Sequence, residues 1–285
     1  IKMKRLLSIE LQKIWKNRAS RVLTITYFVL LTFLSLIASI KFNIGTFEIS
    51  IADQGIFNFP YIWHFNTYIA AWFKFFLAII IVSMMANEYT YGTLKQNLID
   101  GLSKKEFILS KFLVVGSFAL ASTVFVFIMS LILGYSFSSF NEFSIVFSDL
   151  EYLVAFFIKL AAFFSFCLFL GILVKRSAFA LGFLFIWFVF EKISYGILKF
   201  EILNGNNKTI DFADKLYKFF PLESMSNLIK EPFTRLSFAK TIETTIGGQQ
   251  TIRDYSVHFS EISIALVWTF IFILTSYYIL KKRDL

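Results

Sequence analysis

Six long apolar runs alternate with polar segments along the chain, and each run is long enough to cross a bilayer as a helix. About 20 apolar residues, rising about 1.5 Å each, cover the roughly 30 Å of hydrocarbon in a membrane. The pattern therefore predicts an all-α polytopic membrane protein with six transmembrane helices, in a single membrane domain over residues 1–285. The predicted spans are residues 22–40, 68–86, 112–135, 153–174, 178–198 and 262–280.

In the segment before the first span, residues 1–21, the apolar residues recur at the spacing of one helix face. Leu7, Leu11, Ile14 and Trp15 fall on one face of a helix, and lysines fall largely elsewhere. This arrangement predicts a basic amphipathic helix that lies along the inner membrane surface. A plain anchor without a further role is the alternative. We expect the run that follows to be an uncleaved first span.

Two unequal segments are predicted on the outer side. Residues 42–67 contain FEISI, which alternates like a strand, and residues 199–261 are too long for a plain connection. Within the longer segment the pattern predicts short helices broken at Pro221 and Pro232, and a hairpin that turns at Gly247 and Gly248. We expect a small extracytoplasmic cap between the fifth and sixth spans.

The polar segment 87–111 contains signals for two helix starts in a short loop. Gly92 ends the helix that precedes it, and Thr93 with Gln96 has the spacing of a capping box. Gly101 suits a left-handed cap at the end of a helix only about two turns long. The pattern predicts a short helix from Thr93 to Ile99.

A second capping box, Ser103 with Glu106, is predicted to start the helix that leads into the third span. So short a helix as 93–99 is unstable alone in water. Leu94, Leu98 and Ile99 therefore need an apolar surface, which is either this protein's own spans or a groove on another protein.

Composition and charge agree with a membrane protein and set its orientation. The chain is 57% hydrophobic, with a mean hydropathy of +0.69 and a net charge of +9. Sixteen lysines and arginines flank the spans on the side of both termini and of segment 87–111, whereas the short loops opposite hold only Lys41. The positive-inside rule then places both termini in the cytoplasm. We interpret the positive charge as a determinant of membrane topology and not of nucleic-acid binding, since the sequence has no basic domain.

The sequence lacks the residues of the common catalytic and metal sites. It has no G-x-x-x-x-G-K-[ST] segment, so we expect no ATP hydrolysis by this chain itself. His64 and His258 are the only histidines and Cys167 is the only cysteine, which leaves no ligand set for a metal and no partner for a disulfide. We predict a protein that is not an enzyme and holds no cofactor of its own.

Four ionisable residues fall inside the predicted spans at one depth: Lys74, Lys159, Glu191 and Lys192. Charges at such depth usually face protein or water and find partners. We predict that Glu191 pairs with Lys74 or Lys159 and that this polar belt borders the outer half of a transport route. Snorkelling of the lysines to the outer interface is the alternative.

The polar segment resembles the ABC-2 type permeases, the membrane subunits of one class of ATP-binding-cassette transporters. The residues that carry the resemblance are a glutamate, a Gly-Thr pair, a small-residue break and basic residues before the third span: Glu88, Gly92, Thr93, Gly101, Ser103, Lys104 and Lys111. The inner amphipathic helix, the six spans and the long outer loop between spans five and six are also similar to that family. The loop departs from it in being longer and more polar than a compact re-entrant helical pair.

The resemblance implies that helix 93–99 is a coupling helix, with Leu94 and Leu98 among its docking residues, that fits a cleft of a cytoplasmic ABC ATPase. It further implies a second permease protomer, identical or not, with ATP and Mg on the ATPase subunits. The expected function is ATP-driven export of a hydrophobic, amphipathic or lipid-linked substrate across a bacterial cytoplasmic (inner) membrane, with membrane lipid as a further partner. Two alternatives stay open: a mechanotransmission or scaffold subunit that acts on an external partner, and an ion-coupled secondary transporter.

Overall fold

The computed structural model describes residues 2–39, 41–44, 47–50, 55–203, 213–235 and 254–283. Within these ranges the regular secondary structure is helical apart from one short hairpin. The helices are α1 Lys2–Lys16, α2 Arg18–Ser39, α3 Tyr61–Trp72, α4 Lys74–Thr90, α5 Thr93–Ile99, α6 Lys104–Phe137, α7 Phe143–Val146, α8 Glu151–Val174, α9 Ser177–Leu203, α10 Pro221–Asn227 and α11 Phe259–Lys282, with a 3-10 turn at Phe233–Arg235.

The segment predicted to alternate like a strand does form one. Strand β2, Phe47–Ser50, pairs antiparallel with β1, Lys41–Ile44, and Ile44 lies opposite Phe47 in the register. Residues 45 and 46 of the turn lie outside the described residues. This hairpin follows α2 directly, at the end of α2 that is distant from α1.

Four helical segments in the described ranges are long and apolar enough to cross a bilayer. They are α6, the stretch Phe143–Val174 that contains α7 and α8, the stretch Ser177–Lys199 of α9, and α11. A fifth candidate is the pair of α3 and α4, which meet at a 45° bend. The protein is therefore a multi-pass helical membrane protein with four to five candidate spans by length and composition. The predicted first span lies over α2, and the total of six remains a prediction.

Helix α3 begins at Tyr61, before the predicted start of the second span at residue 68. The sequence pattern missed this turn of helix because Asn66 and Thr67 interrupt the apolar run. Both polar groups are satisfied inside the bundle: the Asn66 amide donates to Ser130 Oγ at 2.9 Å, and the Thr67 hydroxyl donates to the Trp63 carbonyl at 2.6 Å. Hydrogen-bonded polar side chains of this kind are compatible with a membrane-spanning helix.

Helix α8 is the centre of the bundle. It packs against α3, α4, α6, α9 and α11, and most of its side chains are buried. A helix that is apolar on all faces is expected to be surrounded by other elements. Gly171 permits the close approach of α4, since a Cβ there would lie only 3.0 Å from the Cβ of Met85. By contrast, α9 and α11 expose most of their apolar surface.

The described part of the predicted outer cap consists of short helical pieces. A helical turn at 213–217 precedes α10, which begins at Pro221, and α10 ends before Pro232 as the sequence predicts. Proline is well suited to the first position of a helix because its missing N–H has no partner there. The predicted hairpin at Gly247 and Gly248 lies outside the described residues. We call the end of the bundle that carries α10 the outer end, and the end that carries α5 the inner end, following the predicted topology.

Candidate functional site

Helix α5 has the bounds that the sequence predicts, with a glycine at each end. Gly92 precedes it with φ of 66°, and Gly101 follows it with φ of 94°. At the second end the N–H of Leu102 donates to the Asn97 carbonyl at 3.0 Å, and the N–H of Gly101 donates to the Leu98 carbonyl at 3.2 Å. This pair of bonds is a Schellman motif. Because Gly92 and Gly101 adopt left-handed conformations, α5 is a separate short helix and not a continuation of α4 or α6.

The capping box predicted for Thr93 is wrong. Gly92 occupies the N-cap position, so Thr93 is already the first helical residue and its side chain does not cap the helix. Its hydroxyl instead donates to Glu88 Oε2 at 2.5 Å, back toward the last turn of α4. The second capping box is confirmed: Ser103 Oγ accepts from the Glu106 N–H at 3.2 Å, and the Glu106 carboxylate accepts from the Ser103 N–H at 3.0 Å.

Two acidic and two basic side chains meet beside α5. Lys111 is fully buried, with its Nζ 2.6 Å from Glu88 Oε1 and 2.7 Å from Glu10 Oε2. Lys13 approaches the same carboxylates, at 3.0 Å from Glu88 and 3.3 Å from Glu10. We call these four residues the inner ionic cluster. Through them α1, α4 and α6 share one polar contact, and Thr93 adds α5 to it.

The inner ionic cluster satisfies its own charges. Burial of an unpaired charge is costly, and here each carboxylate faces two ammonium groups and each ammonium group faces two carboxylates. Burial alone would lower the pKa of Lys13, but the nearby Glu10 and Glu88 carboxylates reverse this effect and raise it above the ordinary value. Lys13 therefore stays charged throughout the physiological range, and its ion pairs with Glu10 and Glu88 persist there.

Helix α5 is anchored on one face and exposed on the other. Leu94 is buried against the bundle and Leu98 is half-buried, so the predicted apolar docking of these two is to the protein's own spans. Ile99 points the other way and is 75% exposed, and Tyr91, just before α5, is 74% exposed. Lys95, Gln96 and Asp100 lie on the same exposed side. The exposed face of α5 is therefore formed by residues other than Leu94 and Leu98.

Basic side chains at the inner end hold the ends of two other helices. Lys104, at the start of α6, donates to the Arg283 carbonyl at 2.8 Å and the Lys281 carbonyl at 3.3 Å, at the end of α11. Arg283 in turn donates to the Ile172 carbonyl at 2.5 Å, at the end of α8, and to Tyr89 Oη at 3.0 Å. Cations are favourable at helix C-termini, where carbonyls lack partners. Lys104 and Arg283 thereby connect the inner ends of α6, α8 and α11 by hydrogen bonds.

At the outer end, three of the four predicted belt residues converge on α10. Glu191 is buried and accepts from the Leu222 and Glu223 backbone N–H groups, each at 3.0 Å, and from Trp187 Nε1 at 2.7 Å. Lys159, also buried, donates to the Ser226 carbonyl at 3.2 Å. An anion thus lies at the N-terminus of α10 and a cation near its C-terminus, which is the arrangement that the helix dipole favours.

Of the other two belt residues, Lys192 is the third that reaches α10, through Glu223, and Lys74 contacts an aromatic ring of α8. Lys192 pairs with Glu223 at 3.1 Å, and Lys74 lies over the ring of Phe163, 4.4 Å from its centroid. The predicted pairing of Glu191 with Lys74 or Lys159 is therefore wrong within the described part of the chain. Its physical reason is that backbone amides of α10, which a list of side chains does not reveal, are the donors that this carboxylate finds.

The sequence analysis missed Glu10 and Lys13 as members of a site. A signal was present, since Glu10 is the single acidic residue in an otherwise basic and apolar α1. An isolated acidic residue in such a helix, followed three positions later by lysine, points to a specific partner rather than to general surface attraction.

Comparison with known families agrees with the polar segment and the helical layout. A family model described as "ABC-2 family transporter protein" matches residues 6–285. The chain belongs to this ABC-2 family of transporter proteins, as the resemblance at 87–111 predicted. It is accordingly the transmembrane, permease component of an ABC transporter. No curated protein matches the sequence.

Proposed function

We propose that the chain couples ATP hydrolysis on a separate nucleotide-binding subunit to export of a substrate across a bacterial cytoplasmic membrane. Helix α5 is the coupling helix in this proposal. The observation that carries it is the combination of the exposed apolar side chains of Ile99 and Tyr91 with an N-terminus that is fixed to the inner ionic cluster through Thr93 and Glu88. A helix that served only to reverse the chain would need neither.

Movement of α5 would pass to three other elements by direct contact. Thr93 is hydrogen-bonded to Glu88 at the end of α4. Glu88 forms an ion pair with Lys111 in α6, and Lys111 forms a second ion pair with Glu10 in α1. Side chains in a packed, buried network transmit displacement because they have few alternative arrangements. The two glycine-capped ends allow α5 to tilt as a unit relative to α4 and α6.

At the other end of the bundle, α10 is suited to act as an outer gate. It is short, and its two ends are held by Glu191 from α9 and Lys159 from α8. A relative shift of α8 and α9 would therefore strain one of these contacts. The polar belt in this proposal holds the gate closed.

The remaining parts of the proposal concern assembly and substrate. The broad exposed apolar surfaces of α9 and α11 fit contact with lipid and with a second permease protomer, identical or not. A bundle so rich in aromatic and aliphatic side chains suits a hydrophobic, amphipathic or lipid-linked substrate. ATP and Mg would be held by the partner ATPase, and both termini would lie in the cytoplasm.

One observation weighs against the ion-coupled alternative. An ion path needs charged groups that are free to bind and release the ion. Glu191 and Lys159 already satisfy backbone groups of α10. The mechanotransmission alternative also uses coupling through α5, and differs only in what happens at the outer end.

Co-purification tests the coupling role. The tagged permease, extracted in mild detergent, is compared with a Tyr91→Asp, Ile99→Asp variant and with a Phe143→Asp control, whose residue is 77% exposed in the α7 region. We expect a nucleotide-binding subunit with wild type and control, and its loss from the double variant. Leu94 is unsuitable for this test because it is buried, so an aspartate there would damage the permease itself. Retention of the subunit by the double variant would reject α5 as the coupling helix.

A further inference from the structure

A groove runs along α1 on the side away from the inner ionic cluster. It has a volume of about 530 Å³ and lies between α1, α2 and α6. Its walls are largely apolar and include Leu7, Leu11, Ile14 and Trp15 from α1 and Phe118 from α6, with Lys4 at the rim. This volume is within the range of sites that bind small ligands. The groove is therefore large enough to accept part of an elongated apolar molecule.

The described chain does not cover the groove. Trp15 is 54% exposed and Leu11 is 39% exposed, although both belong to the apolar face of an amphipathic helix. The opposite side of α1 is occupied, because Glu10 and Lys13 bind there to Glu88 and Lys111. Exposed apolar side chains on a helix of this kind are typical of contact with the boundary between headgroups and acyl chains.

The charge around the groove indicates which kind of ligand it binds. Helix α1 carries five basic residues and one acidic residue. Glu10 and Lys13 are paired in the inner ionic cluster, which leaves four basic residues on α1. Lys4 at the rim is exposed and has no ion pair among the described residues. A second copy of the chain docked symmetrically here would bring two basic helices together, which like charges oppose. An anionic ligand is favoured instead.

We propose that this groove binds an anionic glycerophospholipid from the inner leaflet, with an acyl chain along the apolar walls and the phosphate at Lys4. The inference goes beyond the coupling role and does not depend on it. Because α1 carries both the groove and half of the inner ionic cluster, the bound lipid would fix the position of α1 against α4 and α6.

Quenching of Trp15 tests the proposal. The full-length protein is reconstituted in phosphatidylcholine vesicles that contain a small, equal fraction of brominated phosphatidylglycerol or brominated phosphatidylcholine. Subtracting the signal of a Trp15→Phe variant removes the other four tryptophans. Lys4→Gln tests the headgroup contact, and Lys105→Gln, at another exposed cytoplasmic position, is the matched control.

We expect stronger Trp15 quenching by the brominated anionic lipid than by the zwitterionic one. Lys4→Gln should lower the relative affinity for the anionic lipid about fivefold, as loss of one lysine near a membrane surface predicts, and Lys105→Gln should not. Equal quenching by both lipids would overturn the proposal and leave α1 simply in contact with bulk lipid. Absence of quenching by either would also overturn it, because protein would then cover the groove.

Discussion

Lys111 Nζ lies 2.6 Å from Glu88 Oε1 although the two residues belong to different helices, and the lysine side chain is fully buried. Glu10 and Lys13 extend the pair to a neutral group of four charges in which each charge has two partners of opposite sign. This group lies directly against the root of α5, and its properties lead to the first two predictions.

Replacing Lys111 with methionine should destabilise the protein strongly. Glu10 and Glu88 would then lie buried with only the half-exposed Lys13 to compensate them. Breaking a buried charge pair in this way costs about 3–5 kcal/mol. Thermal unfolding in detergent measures the loss, and adding Glu88→Gln should recover part of it. Lys105→Met, at an exposed position, should change stability by less than about 0.5 kcal/mol. Equal stability of the two single variants would contradict the buried network.

Thr93→Val should weaken coupling more than assembly. The substitution keeps the shape of the side chain and removes the hydroxyl that donates to Glu88. A hydrogen bond to a charged group contributes about 1.5–3 kcal/mol. We expect the ATPase to co-purify as before, while substrate-stimulated ATP hydrolysis in proteoliposomes falls. Thr93→Ser retains the hydroxyl and should behave as wild type; a fall of equal size in Thr93→Ser would exclude this hydrogen bond as the cause.

Glu191→Gln should loosen α10. A carboxylate with three donors around it would become an amide with one acceptor oxygen, so at least one α10 amide should lose its partner. Loss of such a cap costs about 0.5–2 kcal/mol. Hydrogen exchange at residues 222–227 should accelerate accordingly, with export reduced. Glu142→Gln is the control, since Glu142 precedes α7 without a side-chain capping bond. An unchanged rate of hydrogen exchange at α10 would contradict a stabilising role for the hydrogen bonds to Glu191.

Two glycines of α6 should respond oppositely to alanine. A Cβ at Gly134 would clash with the buried ring of Phe59, whereas a Cβ at Gly116 would meet nothing within 4 Å. Gly134→Ala should therefore destabilise by about 1–3 kcal/mol, as overpacking does. Gly116→Ala should be neutral or stabilise by up to about 1 kcal/mol, because alanine favours helix. Thermal unfolding compares them, and Phe59→Leu should partly rescue Gly134→Ala. A Gly134→Ala protein as stable as wild type would show that the ring does not fill this space.

The bounds of α5 were predictable because local chain chemistry sets them. Glycine tolerates the left-handed conformation that Gly92 and Gly101 adopt, and the Ser103–Glu106 box is formed by residues three apart. The role of Thr93 was not predictable in the same way. The sequence allowed its hydroxyl to cap the backbone of α5 at Gln96 or to bond to Glu88. The bend of the chain at Gly92 directs it to Glu88.

Contacts distant in sequence were the part that the pattern did not reveal. Glu10 and Lys111 lie 101 positions apart, and their pairing depends on how α1 packs against α6. The partners of Glu191 are backbone amides, so matching it to lysines by depth alone gave the wrong pair. The same depth argument did succeed in part, because Lys159, Glu191 and Lys192 all reach α10 or its side chains.

Site-specific photo-crosslinking from position 99 tests the central claim most directly. A photoreactive phenylalanine analogue replaces Ile99 in one variant and Phe143 in another, both at exposed positions. Cells are irradiated, and the adducts are identified by mass spectrometry. The account predicts a crosslink from position 99, and none from position 143, to a cytoplasmic protein that carries a P-loop nucleotide-binding motif. A folded protein that gives no such adduct from position 99 would contradict the assignment of α5 as the coupling helix.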